Sequence, residues 1–285
     1  MKAFDDAGVD VYALSYDEPD ALRDFRSAHK ITYNLLSDPD SEVIRSFGIL
    51  NTLIDQNDHP WYGIPYPGTY VIDTQGNITH KFFENNLAVR AGPEQLLRAA
   101  LGQTSNETGA KAVPKDIPNA VQMKVALAGG ALTPTVTKDL VISFVVPSGR
   151  HVYAQPAPEG SVAVDVVLDE DARLVQRPLV RPLATDHTLL GTGESFGVHD
   201  GEFELRLPLT LNSAAGKEPS LVVTGEARWQ SCDDDVCDIP TTERFSIELA
   251  TTRSPASAIG NQKGAALEPN AMAHFQRMKA RRTKT

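Results

Sequence analysis

A chain of 285 residues with 41% hydrophobic and 22% charged side chains is long enough for two globular domains or one large one. Its net charge of −10 argues against general nucleic-acid binding, which needs a basic surface. No apolar run approaches the roughly 18 residues of a membrane span, and no apolar leader follows the opening Met-Lys-Ala-Phe-Asp-Asp.

Residues 1–7 read as the last turns of a helix, with Gly8 at its end. Val9–Tyr16 follows as a strand apolar enough to be buried on both faces. Asp17 is a candidate cap for the next helix, with Pro19 in its first turn and Leu22, Phe25 and His29 on one face. Ile31–Leu36 reads as a strand, and Ser41–Phe47 as a short helix with Val43, Ile44 and Phe47 inward. Residues 51–63 form a polar loop; its His59, Trp61 and Tyr62 read as an irregular surface, with a pocket lining as the alternative. Thr69–Asp73 is a strand, Thr74–Asn77 a turn and Ile78–Phe83 the returning strand. The helix Pro93–Leu101 closes a first, α/β domain over residues 1–101.

Residues 102–118 are polar, with Gly, Lys and Pro, and read as a linker. Beyond them the periodicity changes from 3.6 to 2. Leu140–Val146, Ser161–Leu168, Phe203–Leu211, Leu221–Gln230 and Arg244–Leu249 are strand-like, and no helix is expected between 120 and 250. Residues 119–250 are therefore expected to be an all-β sandwich. Residues 251–285 read as a flexible tail, basic at its end.

Cys232 and Cys237 are the chain's only cysteines, so any thiol chemistry it performs is theirs. A hairpin-like loop between the last two strands brings them within disulfide range. So short a loop stabilises by only about 2 kcal/mol in the chain-entropy model, a weak staple that favours a redox role. Asp233, Asp234, Asp235 and Asp238 surround the pair. Their charge raises thiol pKa values and makes a slow nucleophile, suited to a relay that waits for a docked partner. Trp229 is a candidate shield or a core residue. Three readings stay open: a redox-active disulfide, a static structural disulfide, or metal binding by two thiolates with Asp or His151. No Walker loop, dinucleotide glycine fingerprint, zinc-protease helix or nucleophile elbow is present; no cofactor is expected, and no metal ligand is assigned outside the third of those readings.

The segment Pro67-Gly-Thr-Tyr-Val-Ile-Asp73, followed by Thr-Gln-Gly-Asn-Ile78, resembles the thioredoxin-like redoxins of the alkyl hydroperoxide reductase and thiol-specific antioxidant family. That resemblance covers residues 1–101 and makes Pro67 the match to a cis-proline, with Pro65 as the alternative; Pro67, Gly68 and Thr69 would then form the substrate-docking loop. Such redoxins open with a strand and a helix whose N-terminus carries the reactive cysteine. Here only the helix end is matched, so the resemblance implies an N-terminally truncated redoxin with Met1 as an internal methionine. Two strand edges would then be left unpaired and this half unstable by itself. The absent leader points to the cytoplasm, and a longer parent carrying a leader would place the protein in the periplasm.

Gly149-Arg-His-Val-Tyr153 and Trp229-Gln-Ser-Cys-Asp-Asp-Asp-Val-Cys-Asp-Ile-Pro240 resemble the N-terminal, immunoglobulin-like domain of the DsbD thiol:disulfide interchange protein, over residues 119–250. In that family a cysteine pair near this hairpin passes electrons, and Cys232 and Cys237 match it, with a shorter spacing. Together the resemblances imply an antioxidant, peroxiredoxin-like thiol-disulfide oxidoreductase without the peroxidatic cysteine. Its partner would be a thiol or disulfide protein, or a peroxide. The alternatives are a non-catalytic binding module with a structural disulfide, and a metal-handling β-sandwich.

Overall fold

A computed structural model describes residues 1–54, 62–84, 86, 88–103, 120–188, 193–212, 218–234 and 236–253. They form two compact units divided between residues 87 and 88. His59, Trp61, Asp235, most of the 102–118 segment and all but the start of the tail lie outside the described residues.

The first unit runs α1 (Lys2–Asp6), β1 (Tyr12–Ser15), α2 (Pro19–His29), β2 (Asn34–Ser37), α3 (Glu42–Ser46), β3 (Gly68–Ile72) and β4 (Ile78–Phe83). Helix α2 starts at Pro19, whose missing N–H costs nothing there, after Glu18 rather than the expected Asp17. It ends where Lys30 turns left-handed at φ 51°. Strands β1 and β2 pair in parallel, Tyr12 opposite Asn34. Strands β3 and β4 form a hairpin whose turn is held by the Asp73 carboxylate, which accepts the N–H groups of Gln75 (2.9 Å) and Asn77 (2.8 Å). Among the described residues these are two separate two-stranded sheets.

Burial in this unit departs from the sequence expectation. Ile44 is fully buried, but Val43 and Phe47 are 42% and 41% exposed, and Tyr12 of β1 is 57% exposed. Among the described residues β1 has a partner strand on one side only, so its apolar side chains have little to pack against.

The cis bond expected at Pro67 is not found; among the described residues the cis peptide is Gln155–Pro156. The 65–67 segment is held extended instead. Pro65 bridges Leu50, and the Tyr66 N–H donates to the Ile49 carbonyl at 2.6 Å. An extended trans chain satisfies these bonds, and trans is the lower-energy form unless the surroundings impose otherwise.

The second unit begins with β5 (Arg90–Ala91) and α4 (Pro93–Ala100), then β6 (Gln122–Leu127), β7 (Ala131–Leu132), β8 (Val136–Val145) and β9 (His151–Tyr153). There follow β10 (Asp165–Leu168), β11 (Leu174–Gln176), β12 (Thr185–Thr188), β13 (Ser195–His199) and β14 (Glu202–Leu211). It closes with β15 (Ser220–Trp229), β16 (Ser231–Cys232) and β17 (Thr241–Thr251). One sheet has the order β11-β14-β8-β5, with β6 also on β8; a second has the order β10-β15-β17-β7.

Alternate residues of these strands meet in one core. Leu140, Ile142 and Phe144 of β8 join Phe203, Leu205 and Leu207 of β14 and Leu221, Val223 and Trp229 of β15. The regular alternation along β14 arises because successive side chains point to opposite faces of a strand. Trp229 is 3% exposed and meets Phe144 edge-on at 5.6 Å, which makes it core rather than a shield for the cysteines.

Helix α4 packs on β8. Gln95 donates to Asp139 (2.7 Å), Arg98 pairs with Asp139 (3.0 Å), and Lys138 pairs with Glu94 (2.8 Å). Lys138 and Asp139 are both buried, so each needs these partners. The contacts thus place this helix with the strands that follow it, whereas the sequence reading attached it to the first domain.

Candidate redox site

A third sheet, ordered β12-β13-β9-β16, carries Cys232, with Cys237 bridged to it outside the named strands. The chain leaves β15 at Trp229, and β15 pairs with β17 up to Trp229 opposite Thr241. The intervening residues turn out of that hairpin. Ser231 and Cys232 add as a short strand to β9 instead, Cys232 opposite His151.

Cys232 and Cys237 are joined by a disulfide and face each other as an antiparallel bridge. The turn between them is closed from within. The Asp233 N–H donates to the Val236 carbonyl (3.0 Å), and the Val236 N–H donates to the Asp233 carboxylate (2.8 Å). The Asp238 N–H donates to the Ser231 carbonyl (2.8 Å). Gln230 ties the loop outward: its amide donates to the Asp238 carbonyl (3.0 Å) and accepts from the Val162 N–H (2.9 Å).

The two sulfurs differ in surroundings. Cys232 is 0% exposed and packs with Tyr153 and Val198, with Ala157 and Phe196 at the edge of that cluster. Cys237 is exposed, between Val236 and Ile239, which are 63% and 88% exposed. The Tyr153 hydroxyl lies 3.8 Å from the Cys237 sulfur, to which it alone can donate, since a disulfide sulfur carries no hydrogen.

Among the described residues, Asp233, Asp234 and Asp238 do not form an uncompensated negative cluster. Arg150 reaches over the loop: its Nε donates to the Ser231 hydroxyl (2.8 Å), Nη2 hydrogen-bonds Asp238, and Nη1 is 3.6 Å from Asp233. His187 Nε2 lies 3.7 Å from Asp234. The expected rise in thiol pKa is therefore opposed by a guanidinium in direct contact with two of the acids.

His151 is buried beside the pair, its ring 5.5 Å from Tyr153 and 4.4 Å from His187. Burial, and then the neighbouring His187 charge, lowers its pKa from the ordinary histidine value. Among the described residues no group of three His, Cys, Asp or Glu side chains is arranged to hold a metal ion.

Of the residues singled out in the sequence, Cys232, Cys237 and His151 are brought together here. Pro67, Gly68 and Thr69 belong to the first unit. There Gly68 opposes Phe83 so closely that a Cβ would fall 2.2 Å from its ring. Arg150 and Tyr153 were visible in a motif but had no assigned role. His187 and Phe196 sit on strands β12 and β13, which lack the regular apolar alternation that marks β14.

Residues 1–81 match the model of the AhpC/TSA family. The peroxiredoxin-type protein Rv2521 of Mycobacterium tuberculosis (strain H37Rv) is 37% identical over 79 residues, which are 26% of this chain and 46% of that protein. Peroxiredoxin Bcp of Escherichia coli K12 is 34% identical over 80 residues, 27% of this chain and 47% of that protein. The chain thus spans about half the length of the curated relatives it matches. Two solved structures are also similar. The N-terminal periplasmic domain of ScsB from Proteus mirabilis covers 59% of this chain and 58% of its own, at 16% identity and TM-score 0.34. The reduced N-terminal domain of DsbD from Neisseria meningitidis covers 47% of this chain and 91% of its own, at 15% identity and TM-score 0.28. The N-terminal part is therefore redoxin-like at family level, and a β-rich region of mixed sheets follows it.

Proposed function

We propose that this chain exchanges electrons with a partner thiol through Cys232–Cys237, in the manner of the DsbD-type domain that residues 149–153 and 229–240 resemble. The observation that carries the reading is the asymmetry of the disulfide: Cys232 is sealed at 0% exposure and Cys237 is open to solvent. Thiol-disulfide exchange is a displacement along the S–S axis, so access decides which sulfur is attacked. A partner thiolate reaches Cys237, and Cys232 departs as the leaving sulfur. Exposed Val236 and Ile239 beside Cys237 offer an apolar rim for a docked partner.

The redoxin-like segment supports a redox setting, but all cysteines of this chain lie beyond it. Peroxide reduction by a thiol of residues 1–81 is accordingly not part of the proposal. Pro67, Gly68 and Thr69 are retained as a docking surface for a thiol or disulfide partner, without a catalytic task.

Two measurements on the full chain test this. Equilibration with defined dithiol buffers gives the potential of the pair; a value below about −300 mV would mark a structural bond and defeat the proposal. Cys232→Ser should form a mixed disulfide with a small activated disulfide, while Cys237→Ser should resist it in the native state. Equal trapping by both variants would also count against the assignment.

A further inference from the structure

We infer that His151 is the proton donor to the Cys232 sulfur when the disulfide opens. The inference rests on the exchange reading above and adds a residue to it.

The geometry begins with the strand ladder. His151 and Cys232 are direct partners across β9 and β16, so their side chains leave the same face of the sheet. Tyr153, two residues on, shares that face and touches Cys237. His151 is 5% exposed, and its Nε2 atom is buried without a hydrogen-bond partner. An orphaned polar atom in a native interior is costly and calls for a reason. The oxidised pair offers it none: neither disulfide sulfur is in hydrogen-bonding position to Nε2 in this state.

Reduction changes that. A partner thiolate attacks Cys237 Sγ, and a sulfur–sulfur bond forms between partner and Cys237. The Cys232–Cys237 bond breaks, and its electron pair leaves on Cys232 Sγ. That sulfur is sealed from water, so a bare thiolate there is unfavourable. An imidazolium at His151 gives its proton to Cys232 Sγ and becomes neutral. The partner's second thiolate then attacks the partner sulfur of the mixed disulfide and releases Cys237, which takes its proton from solvent. The partner dithiol ends as a disulfide, and the pair ends as two thiols.

The groups around His151 tune this step. His187, on β12, contacts the ring at 4.4 Å and is itself 26% exposed at its side chain, which links the buried ring to solvent. Its charge opposes protonation of His151, as does that of Arg150 next in sequence; Asp234 and Asp200 favour it. Tyr153 closes the remaining side at 5.5 Å between ring centroids.

The test follows reduction of the full-length oxidised chain by dithiothreitol, with each rate divided by the concentration of the dithiothreitol thiolate. In the wild type this normalised rate should rise about tenfold as pH falls below the ordinary histidine value of about 6.5, where a ring with a lowered pKa gains its proton. His151→Phe should flatten the profile and slow reduction at the acid end, yet raise Tm, because the orphaned Nε2 is gone. His187→Phe removes a like charge and should move the rise to higher pH. A wild-type pair that dithiothreitol does not reduce would overturn the exchange reading and this inference together. A reducible pair whose His151→Phe variant keeps the wild-type profile would overturn this inference alone. Should His151→Phe not fold, the His187→Phe profile decides: an upward shift supports the inference, and an unmoved profile overturns it.

Discussion

The hydroxyl of Tyr153 lies 3.8 Å from the sulfur of Cys237, on the open half of a disulfide whose other half, Cys232, is fully buried. Such a contact favours a charged sulfur over a neutral one, because a hydrogen bond to an anion is the stronger kind. Tyr153→Phe should therefore slow alkylation of reduced Cys237 by roughly fivefold, the equivalent of about 1 kcal/mol. The pH dependence of alkylation checks this: the thiol pKa should rise in the variant. An unchanged pKa would mean that the contact is packing alone.

Arg150 holds the disulfide loop through Ser231, Asp238 and Asp233 at once. Arg150→Met keeps much of the stem and removes the charge. About 2 kcal/mol of stability should go with the charged hydrogen bonds, read from chemical denaturation. The uncompensated aspartates should then raise the thiol pKa values and slow exchange. Added salt should restore part of the rate, since screening weakens the repulsion.

Acid should destabilise the second unit through His199. Burial, then the charge of Arg181, holds this histidine at about 4 from an ordinary 6.5. The unfolded chain takes up the proton first, so the neutral ring contributes stability that is present above about pH 6.5 and lost as pH falls to about 4. The loss is roughly 2–3 kcal/mol. His199→Phe, next to the stacked ring of Phe203, should flatten the stability curve between these pH values. A variant as acid-sensitive as the wild type would reject the assignment.

The paired charges on β8 predict where the second unit begins. A fragment 88–253 retains the bonds from Glu94, Gln95 and Arg98 to Lys138 and Asp139, and a fragment 119–253 strands a buried lysine and weakens a buried aspartate. Breaking such a pair costs about 3–5 kcal/mol. The shorter fragment should be less stable by about that much in urea. Equal stability would show that α4 is dispensable.

Amide exchange should separate the two units. Among the described residues β1 has one partner strand and a largely exposed Tyr12, whereas β8 is paired on both sides. Tyr12–Ser15 should exchange far faster than Leu140–Phe144, because few buried contacts hold its hydrogen bonds. Equal protection across both would refute the expectation of a weak first unit.

Much of the second unit was legible from alternation alone. Phe203 to Leu211 repeats apolar side chains at every second position, and the structure buries those residues in the core. The first unit was less legible because its pattern promised burial that the described sheets do not supply. Val43 and Phe47 have the spacing of core residues but too few neighbours to cover them. Helix α4 carries no mark in sequence of which side it joins; a salt bridge between residues 94 and 138 decides that.

The sequence by itself determined that any thiol chemistry of this chain belongs to Cys232 and Cys237, because it contains no others. It also placed them on a loop short enough to close. Only the tertiary structure decided that the loop leaves its hairpin to pair with β9. That pairing buries Cys232, leaves Cys237 an exposed residue, sets His151 opposite the first and draws Arg150 over Asp233 and Asp238. The local pattern records neighbours along the chain, and the properties of this disulfide come from residues about 80 positions away, brought in by strand pairing.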